Sequence, residues 1–340
     1  MTRPFVLDME TSDPDDYLTL LLLLGHPQVD LRAVTVTPGT RDQVGLVRST
    51  LRMFERSDVT VGAFDIDHPK DCGSAWHRDA LNRWQPADAD AEGWEVLRDT
   101  LRPDTTLVTG AALKNLGRLL EHTTHEAGAL GRGFIQGGFA GEGVVPSERQ
   151  LEKFRGKVTQ PSFNLNGAPA AALAVLQQCA RFSDLRFVSK NVCHGVLYDA
   201  DMHARFAEKR LTWCTGHYVC RCECHQPGAQ VMHVMACCST CDVCGQEVAD
   251  YGNMPRDRTA LAQSLIFRSM RHYLSRHPKG KALHDPLAAA CAIDPEIGEW
   301  AEVELYRERG EWGAFALEGS GVRIITGYDH ERFVRTLLED

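Results

Sequence analysis

Five carboxylates lie close together in the first part of the chain. They are Asp8, Glu10, Asp13, Asp15 and Asp16. An apolar run at residues 4–7 precedes them and a leucine-rich segment begins at Tyr17, so the pattern predicts a buried strand, an acidic turn and a helix. Because carboxylates this close repel one another, the end of a buried strand is an unfavourable place for them. We therefore expect a cation to bind at this turn.

Helix capping is a simpler explanation for part of this set. Ser12 or Asp13 can cap the following helix, and Pro14 suits its first turn. Asp15 and Asp16 favour the positive end of the helix dipole. Capping leaves some of the acids unexplained. Carboxylate oxygens are suitable ligands for a hard divalent ion. The turn has neither the spacing of an EF-hand loop nor the His and Cys ligands that zinc prefers. The turn therefore predicts a calcium site, with magnesium as the second choice.

The segments around this turn predict an α/β fold. Residues 29–39 and 59–64 have the β-branched composition of strands, and residues 41–55 have a helical pattern between them. A second helix is predicted at residues 258–276. Strands that alternate with helices over 340 residues indicate a single domain, with an open, mostly parallel sheet flanked by helices. Such sheets bind ligands at the carboxyl ends of their strands, where the acidic turn lies.

The overall charge of the chain argues against one class of ligand, nucleic acid. A net charge of -9 and a pI near 5.9 disfavour nucleic acid as a partner, since phosphate contacts need a basic face. The apolar stretch LTLLLLLG is too short to span a bilayer, and no charged-then-apolar leader precedes it. We expect a cytoplasmic homo-oligomer that binds a small molecule and neither nucleic acid nor membrane.

Two sequence motifs far apart in the chain resemble one known family. The acids Asp8, Glu10, Asp15 and Asp16 match the D-x-D-x-G-x-D-D signature of the inosine-uridine-preferring nucleoside hydrolases, with one residue inserted and Glu in place of the second Asp. Residues 284–288, HDPLA, match the family's H-D-P-x-A motif. Helix geometry alone offers another reading of the second motif, with Pro286 in the first turn and Asp285 as the cap.

The resemblance implies a set of metal ligands and catalytic groups. The implied ligands of calcium are Glu10, Asp16, Asp285, the backbone carbonyl of Thr109 and, beside them, Asp8. Thr109 comes from TTLVTGAALKN, which is similar to the family's T-G-P-L-T-N segment, with Ala111 in place of Pro and Lys114 in place of Thr. Asp15 is the implied general base, and His284 is the implied acid that faces the leaving base.

The same resemblance implies sugar contacts. The family's E-F-N triplet, which holds ribose hydroxyls, corresponds to Ser162, Phe163 and Asn164, so its Glu has become Ser. An Asn that the family carries earlier has no clear equivalent, and residues 147–160 are predicted to be an added charged helix and loop. We therefore expect a divergent member whose sugar site differs from that of the family.

Aromatic residues between positions 65 and 92 are candidates for contact with the nucleobase. Trp76 and His77 lie where the family has a loop beside the base, so the resemblance implies stacking on it. A surface loop with rings packed beneath it is the alternative. We interpret His194, which follows a predicted strand, as a loop histidine with a structural role.

A cysteine-rich insert at residues 211–256 interrupts the pattern. Eight of the twelve cysteines lie between positions 214 and 244, in a stretch without strand or helix periodicity. Cys238, Cys241 and Cys244 are spaced C-x-x-C-x-x-C, so a zinc site is chemically possible. A metal-free disordered loop and a gene-model error such as a retained intron are the alternatives.

Taken together, these features predict a hydrolase. The resemblance implies cleavage of the N-glycosidic bond of a purine or pyrimidine ribonucleoside to free base and ribose, with calcium activating the attacking water. A nucleoside-binding protein that keeps the metal site but has lost turnover is the first alternative. A zinc-dependent interaction module at residues 211–256, carried by the α/β domain as a scaffold, is the second.

Overall fold

The computed structural model describes residues 2–70, 76–77, 84–123, 128–214 and 257–338, with the backbone alone at 209–214. Short, largely apolar runs form its strands. They are β1 (Arg3–Met9), β2 (Val29–Val36), β3 (Thr60–Ala63), β4 (Ala91–Glu92), β5 (Thr106–Thr109), β6 (Gly131–Gln136), β7 (Thr159–Gln160), β8 (Phe182–Val188), β9 (Leu197–Tyr198), β10 (Lys281–Ala282), β11 (Gly298–Glu308), β12 (Glu311–Ala316) and β13 (Val322–Tyr328).

Helices connect most of these strands. They are α1 (Pro14–Gly25), α2 (Arg41–Met53), α3 (Gly93–Thr100), α4 (Lys114–His122), α5 (Phe163–Gly167), α6 (Pro169–Gln177), α7 (Lys190–Cys193), α8 (Ala200–Cys214), α9 (Arg258–Arg276), α10 (His284–Ile293) and α11 (His330–Leu338). The helices predicted at 41–55 and 258–276 correspond to α2 and α9, and the bounds of α9 agree with the prediction.

The central sheet contains eleven of the described strands, in the order β4-β3-β2-β1-β5-β6-β8-β13-β11-β12-β7. All pairs from β4 to β13 are parallel, and the remaining pairs are antiparallel. The predicted open, mostly parallel sheet flanked by helices is therefore confirmed. Its parallel part places the ends of β1, β5, β6 and β8 side by side, at the edge where such sheets bind ligands.

Helix α1 is buried along its whole length, which explains its leucine-rich sequence. A helix that is apolar on all sides is typical of a protein interior. α1 packs against α9 and α10 and against β2 of the sheet. This packing holds the acidic turn, which joins β1 to α1, against the start of α10.

Two predictions about segment structure have different outcomes. The charged helix predicted within residues 147–160 is replaced by two 3-10 turns, Ser147–Arg149 and Glu152–Phe154, followed by β7. Gln150 and Leu151, between the two turns, have extended backbone dihedral angles, so the turns do not continue into one α-helix. The insert predicted at residues 211–256 without helix periodicity begins inside α8, which continues to Cys214, and its other residues, 215–256, lie outside the described residues.

None of the described helices has the length and apolar character needed to cross a lipid bilayer.

Candidate active site

A cavity of about 310 Å³ opens at the carboxyl edge of the parallel strands. The acidic turn after β1, Gly110 after β5 and Gln136 at the end of β6 contribute to its lining. The other lining residues are Ser162, Phe163, Asn164, Lys190, His194, His284 and Asp285. The cavity therefore collects most of the sequence-predicted site residues, although they come from distant parts of the chain.

Asp16 and Asp285 lie side by side at this edge. Their side chains are hydrogen-bonded to each other, and both carboxyls are buried. Burial raises the pKa of each carboxyl well above its usual range, and the charges of Asp15 and Glu10 raise it further. Neither carboxylate forms an ion pair with a cationic side chain of the described residues, so the pair lacks a countercharge.

Local structure explains how this pair forms. In α1, the Asp16 carboxylate accepts a hydrogen bond of 2.9 Å from the backbone N–H of Asp13, the N-cap residue. α10 begins at His284 with Leu283 as its N-cap. Asp285 thus lies within the first turn instead of capping the helix, and its carboxylate is available to contact Asp16.

Gly110 makes room for the Asp285 carboxylate. A Cβ at position 110 would lie 2.3 Å from Oδ2 of Asp285, so any larger residue would displace that side chain. The Gly110 carbonyl accepts a hydrogen bond of 2.9 Å from the amide of Asn164. Thr109, whose carbonyl is a predicted ligand, is the residue just before this turn and pairs with Asp8 of β1.

Glu10 also lines the cavity. Its carboxylate accepts hydrogen bonds from the Ala112 backbone N–H at 3.2 Å and from the Ser12 hydroxyl at 3.3 Å. Burial raises the pKa of Glu10, and these hydrogen bonds oppose the rise. Together with Asp16, Asp285 and a nearby strand-end carbonyl, this all-oxygen donor set fits a hard divalent cation, because buried carboxylates without a countercharge are costly.

Asp8 has a different environment. Its carboxylate accepts hydrogen bonds from Thr35 at 2.7 Å, Asn115 at 2.9 Å and Thr109 at 3.3 Å. Burial raises its pKa to about 6 although these hydrogen bonds lower it. Asp8 is not among the cavity-lining residues. In this structure it connects β1 to β2, β5 and α4, and its role as a metal ligand stays a prediction.

Asp15 has a cationic partner that the sequence analysis missed. The Lys281 ammonium lies 2.9 Å from Oδ1 of Asp15 and 3.1 Å from Oδ2 of Asp13. Oδ2 of Asp15 accepts hydrogen bonds from the backbone N–H groups of His284 and Asp285. Burial opposes the charge of Lys281, but its two ion pairs outweigh burial and raise its pKa. Both oxygens of Asp15 are therefore engaged.

His284 and His194 form a pair of rings in the cavity. Their ring centres are 4.4 Å apart, and the Lys153 ammonium lies 2.9 Å from Nδ1 of His194. Burial lowers the pKa of His284 to about 4 and that of His194 to about 3, so both are neutral at pH 7. His194 was expected to be structural, yet it lines the cavity. Its position after a strand at the ligand edge was the signal that could have identified it.

The three residues of the triplet at 162–164 all line the cavity, but their side chains have different environments. The Ser162 hydroxyl is buried and accepts a hydrogen bond from the Gly138 N–H at 3.0 Å. Phe163 is 76% exposed, so its ring is free to cover a ligand. The Asn164 amide donates to Gly110 and also to the Gln136 side chain at 2.7 Å, and it thus orders the cavity wall.

These elements can be compared with known proteins. A family model described as "Inosine-uridine preferring nucleoside hydrolase" matches residues 5–335. The chain belongs to this family. A curated relative from Aquifex aeolicus (strain VF5), described as an uncharacterized protein, is 24% identical over 319 residues, which are 91% of this chain and 89% of the relative.

Solved structures of nucleoside hydrolases have the same fold. A plant nucleoside hydrolase aligns with a TM-score of 0.64 at 16% identity and covers 100% of this chain and 98% of its own. The purine-preferring ribonucleoside hydrolase of Gardnerella vaginalis gives 0.59 at 14% identity, with 99% and 97% covered. An inosine-uridine preferring enzyme from Bacillus anthracis gives 0.60 at 15%, with 99% and 98% covered.

Trp76 and His77 are not among the residues that line the cavity of this nucleoside hydrolase fold. The His77 ring lies 5.4 Å from the Tyr17 ring, and the Trp76 ring lies 6.4 Å from the Tyr273 ring. His77 is completely buried, and burial lowers its pKa to about 3. These contacts agree with the alternative of a structural role for the two rings. Stacking on a base by these two residues stays a prediction.

Proposed function

We propose that the protein hydrolyses the N-glycosidic bond of a purine or pyrimidine ribonucleoside, releasing free base and ribose. The observation that carries the proposal is the buried Asp16–Asp285 pair, without a countercharge, in a cavity that also contains Glu10 and His284. Family membership over residues 5–335 supports it. The relative from Gardnerella vaginalis is described as a purine-preferring ribonucleoside hydrolase, which agrees with a nucleoside substrate.

We further propose a resident calcium ion, with magnesium as the second choice. Glu10, Asp16, Asp285 and the Thr109 carbonyl would hold it, and Asp8 would support them. When bound, calcium lowers the pKa of a coordinated water and can contact vicinal sugar hydroxyls. The carboxylates beside the sugar would stabilise the positive charge that develops on it as the bond to the base breaks.

Two residues are candidates for the general base. Asp15 is the residue predicted from the sequence, but its oxygens contact Lys281 and two backbone N–H groups. Glu10 has weaker partners, at 3.2 and 3.3 Å, and burial raises its pKa. Since a base needs an available lone pair, one oxygen of Glu10 would bind the ion and the other would accept the proton, and Asp15 would hold the substrate with Lys281.

His284 would act on the leaving base in its neutral form. Its pKa of about 4 leaves little imidazolium at pH 7. A neutral imidazole N–H still donates a hydrogen bond to a ring nitrogen or carbonyl of the departing base, which stabilises the negative charge that develops there. His194, 4.4 Å away between ring centres, would hold the His284 ring in place.

The second candidate function is nucleoside binding without turnover. Ser162 favours it, because its hydroxyl is committed to the Gly138 N–H and supplies no acid at the position where the family has Glu. A weakened sugar site would reduce the stabilisation of the transition state more than that of the bound nucleoside.

A panel of ribonucleosides assayed for free base, with calcium and with a chelator, tests the proposal. We expect base release that the chelator abolishes. Glu10→Gln should lower kcat by about 100-fold or more, the usual contribution of a general base, and calorimetric titration with calcium separates this loss from any loss of the ion. Asp15→Asn tests the alternative base in the same assay. Binding without base release from any nucleoside would instead establish the second function.

A further inference from the structure

We call Lys153, Lys157 and Lys190 the lysine cluster, because the charges of Lys153 and Lys157, which are both exposed, act on Lys190. The ammonium groups of Lys153 and Lys157 are 5.1 and 6.0 Å from the centre of the Phe154 ring. Lys190 lines the cavity and donates a hydrogen bond of 2.9 Å to the Pro161 carbonyl. The cavity therefore has an acidic side, formed by the turn after β1, and a cationic wall formed by Lys190, with Lys153 beside it at His194.

No carboxylate within the described ranges forms an ion pair with the lysine cluster. The lysine ion pairs found there are those of Lys281 with Asp13 and Asp15. Burial lowers the pKa of Lys190, and the charges of the other two lysines lower it further. Like charges held together are unfavourable, and the chain as a whole has a net charge of -9. An anionic ligand would supply the missing countercharge.

His194 links this wall to the carboxylates. Because the Lys153 ammonium lies 2.9 Å from Nδ1 of His194, that nitrogen accepts the hydrogen bond and Nε2 is left as the donor. The His194 ring is 4.4 Å from the ring of His284, the residue before Asp285. One ligand could thus contact the carboxylates with its hydroxyls and the lysine cluster with an anionic group.

The same cations argue against a metal ion at this wall. Cys193, His194 and His284 bring a sulfur and two ring nitrogens within 4.8 Å of one another, a donor set that suits zinc. However, Lys153 contacts His194, and the charge of Lys190 acts on the Cys193 thiol. A dication would be repelled by these ammonium groups, so an anion is the better match.

We propose that the substrate is a ribonucleoside with an anionic group, and that Lys190 binds this group with support from Lys153 and His194. This inference rests on the proposed nucleoside hydrolysis and specifies the substrate class of the same site. The anionic group is either a phosphate on the sugar or a carboxylate on the base, since both offer charged oxygen acceptors to an ammonium.

A matched set of pyrimidine compounds distinguishes the two sources. Uridine, uridine 5′-monophosphate and orotidine are compared in kcat/KM with the full chain and calcium, with inosine and its 5′-monophosphate as a purine pair. We expect an anionic compound to exceed its neutral parent by about 10–100-fold, the worth of one charge-assisted hydrogen bond. Preference for a monophosphate places the anion on the sugar, and preference for orotidine places it on the base. Preference for the neutral parents overturns the proposal.

Substitutions of Lys190 connect the preference to this residue. Lys190→Gln should reduce the anionic-to-neutral ratio of kcat/KM to within about twofold, because it removes one charge-assisted hydrogen bond. Lys190→Arg keeps the charge and should keep the preference. Lys70→Gln, at an exposed position, is the control, and thermal melts verify folding. A Gln variant that slows both substrates equally would assign Lys190 a purely structural role and end the proposal.

Binding affinities test the assignment of Lys190 independently of the proposed hydrolysis. Calorimetric titration with uridine, uridine 5′-monophosphate and orotidine requires no turnover. Tighter binding of an anionic compound, lost in Lys190→Gln, would support the assignment of Lys190 even if no base were released. Equal affinities for the three compounds would overturn it even if uridine were hydrolysed.

Discussion

At the scale of single residues, Asp16 and Asp285 carry the proposal that a cation binds at this site. Burial raises the pKa of both carboxyls, and the charge of Asp16 also opposes the ionisation of Asp285, to which it is hydrogen-bonded. Without a cation, the pair holds at least one proton at pH values where exposed carboxyls are ionised. Calcium binding would displace that proton, and it is therefore coupled to both pH and folding stability.

Compared with the wild type, Asp285→Asn should be at least as stable without calcium and less stable with calcium. In chelator, the variant should be at least as stable as the wild type, because it removes a charge repelled by Asp16. With calcium at 100 times its Kd, the wild type should gain about 2.7 kcal/mol and the variant little. Thermal melts in EDTA and in calcium measure both effects. Asp104→Asn, at an exposed position, should behave as the wild type, and a wild type insensitive to calcium would contradict the prediction.

His77 should make stability depend on pH. Burial lowers its pKa to about 3 from an ordinary 6.5, so between these values the unfolded chain binds more protons than the folded one. Stability is therefore full above pH 6.5 and falls as the pH drops toward 3. Between pH 7 and 5, the wild type should lose roughly 2 kcal/mol more than His77→Phe, as measured by urea denaturation.

A matched histidine controls for this effect. His122 is exposed and stacks on Trp94 with ring centres 4.4 Å apart. His122→Phe should keep the pH dependence of the wild type. If the stabilities of the wild type and His77→Phe fall in parallel, His77 does not supply the dependence.

At the scale of elements, the site forms where the turn after β5 meets the first turn of α10. Gly110 allows this contact, because a Cβ there would lie 2.3 Å from Oδ2 and 2.8 Å from Oδ1 of Asp285. The Asn164 amide, on α5, holds the Gly110 carbonyl from the other side. Three elements that are distant in sequence thus determine the position of one carboxylate.

Gly110→Ala should therefore impair the site. The added methyl group would displace the Asp285 carboxylate, and we expect a loss of about 100-fold in kcat/KM and of about 1–3 kcal/mol in stability. Steady-state kinetics and urea denaturation measure these quantities. Gly128→Ala is the control: it adds a methyl group with nothing within 4 Å at a left-handed φ of +87°. It should cost some stability through backbone strain and leave kcat/KM unchanged, and a Gly110→Ala enzyme of full activity would refute the steric argument.

At the scale of the whole molecule, α8 and α9 pack together although residues 215–256 separate them in sequence. The His203 ring of α8 stacks on the Phe267 ring of α9 with centres 4.2 Å apart. α9 in turn packs on the buried α1, which follows the acidic turn. The connection between α8 and α9 therefore has to join two helices whose positions are determined by their own packing.

Replacing residues 215–256 with a short Gly-Ser linker should leave the fold and nucleoside hydrolysis intact. The contacts between α8 and α9 do not involve the replaced residues, and a flexible linker closes the gap at small entropic cost. Soluble yield, melting temperature and base release compare the two proteins, and metal analysis shows whether zinc is lost with the insert. Loss of soluble expression would show that the insert is part of the folded core.

Local sequence patterns determined much of this protein. The apolar run before Asp8 and the leucines after Tyr17 predicted β1 and α1, and the periodicity at 258–276 predicted α9. These predictions succeed because hydrophobic periodicity is a property of each segment alone. The resemblance of the acidic turn and the HDPLA motif to the family's motifs pointed to Asp16 and Asp285, which the structure brings into contact.

Only the tertiary structure decided which of these groups meet. The Lys281–Asp15 ion pair, the His194–His284 contact and the lysine cluster join residues that no local pattern relates. Trp76 and His77 have residue types suited to stacking on a base, yet they pack on Tyr17 and Tyr273. The physical reason is that strand order and helix packing determine which segment ends meet at the sheet edge, and these depend on contacts across the whole chain.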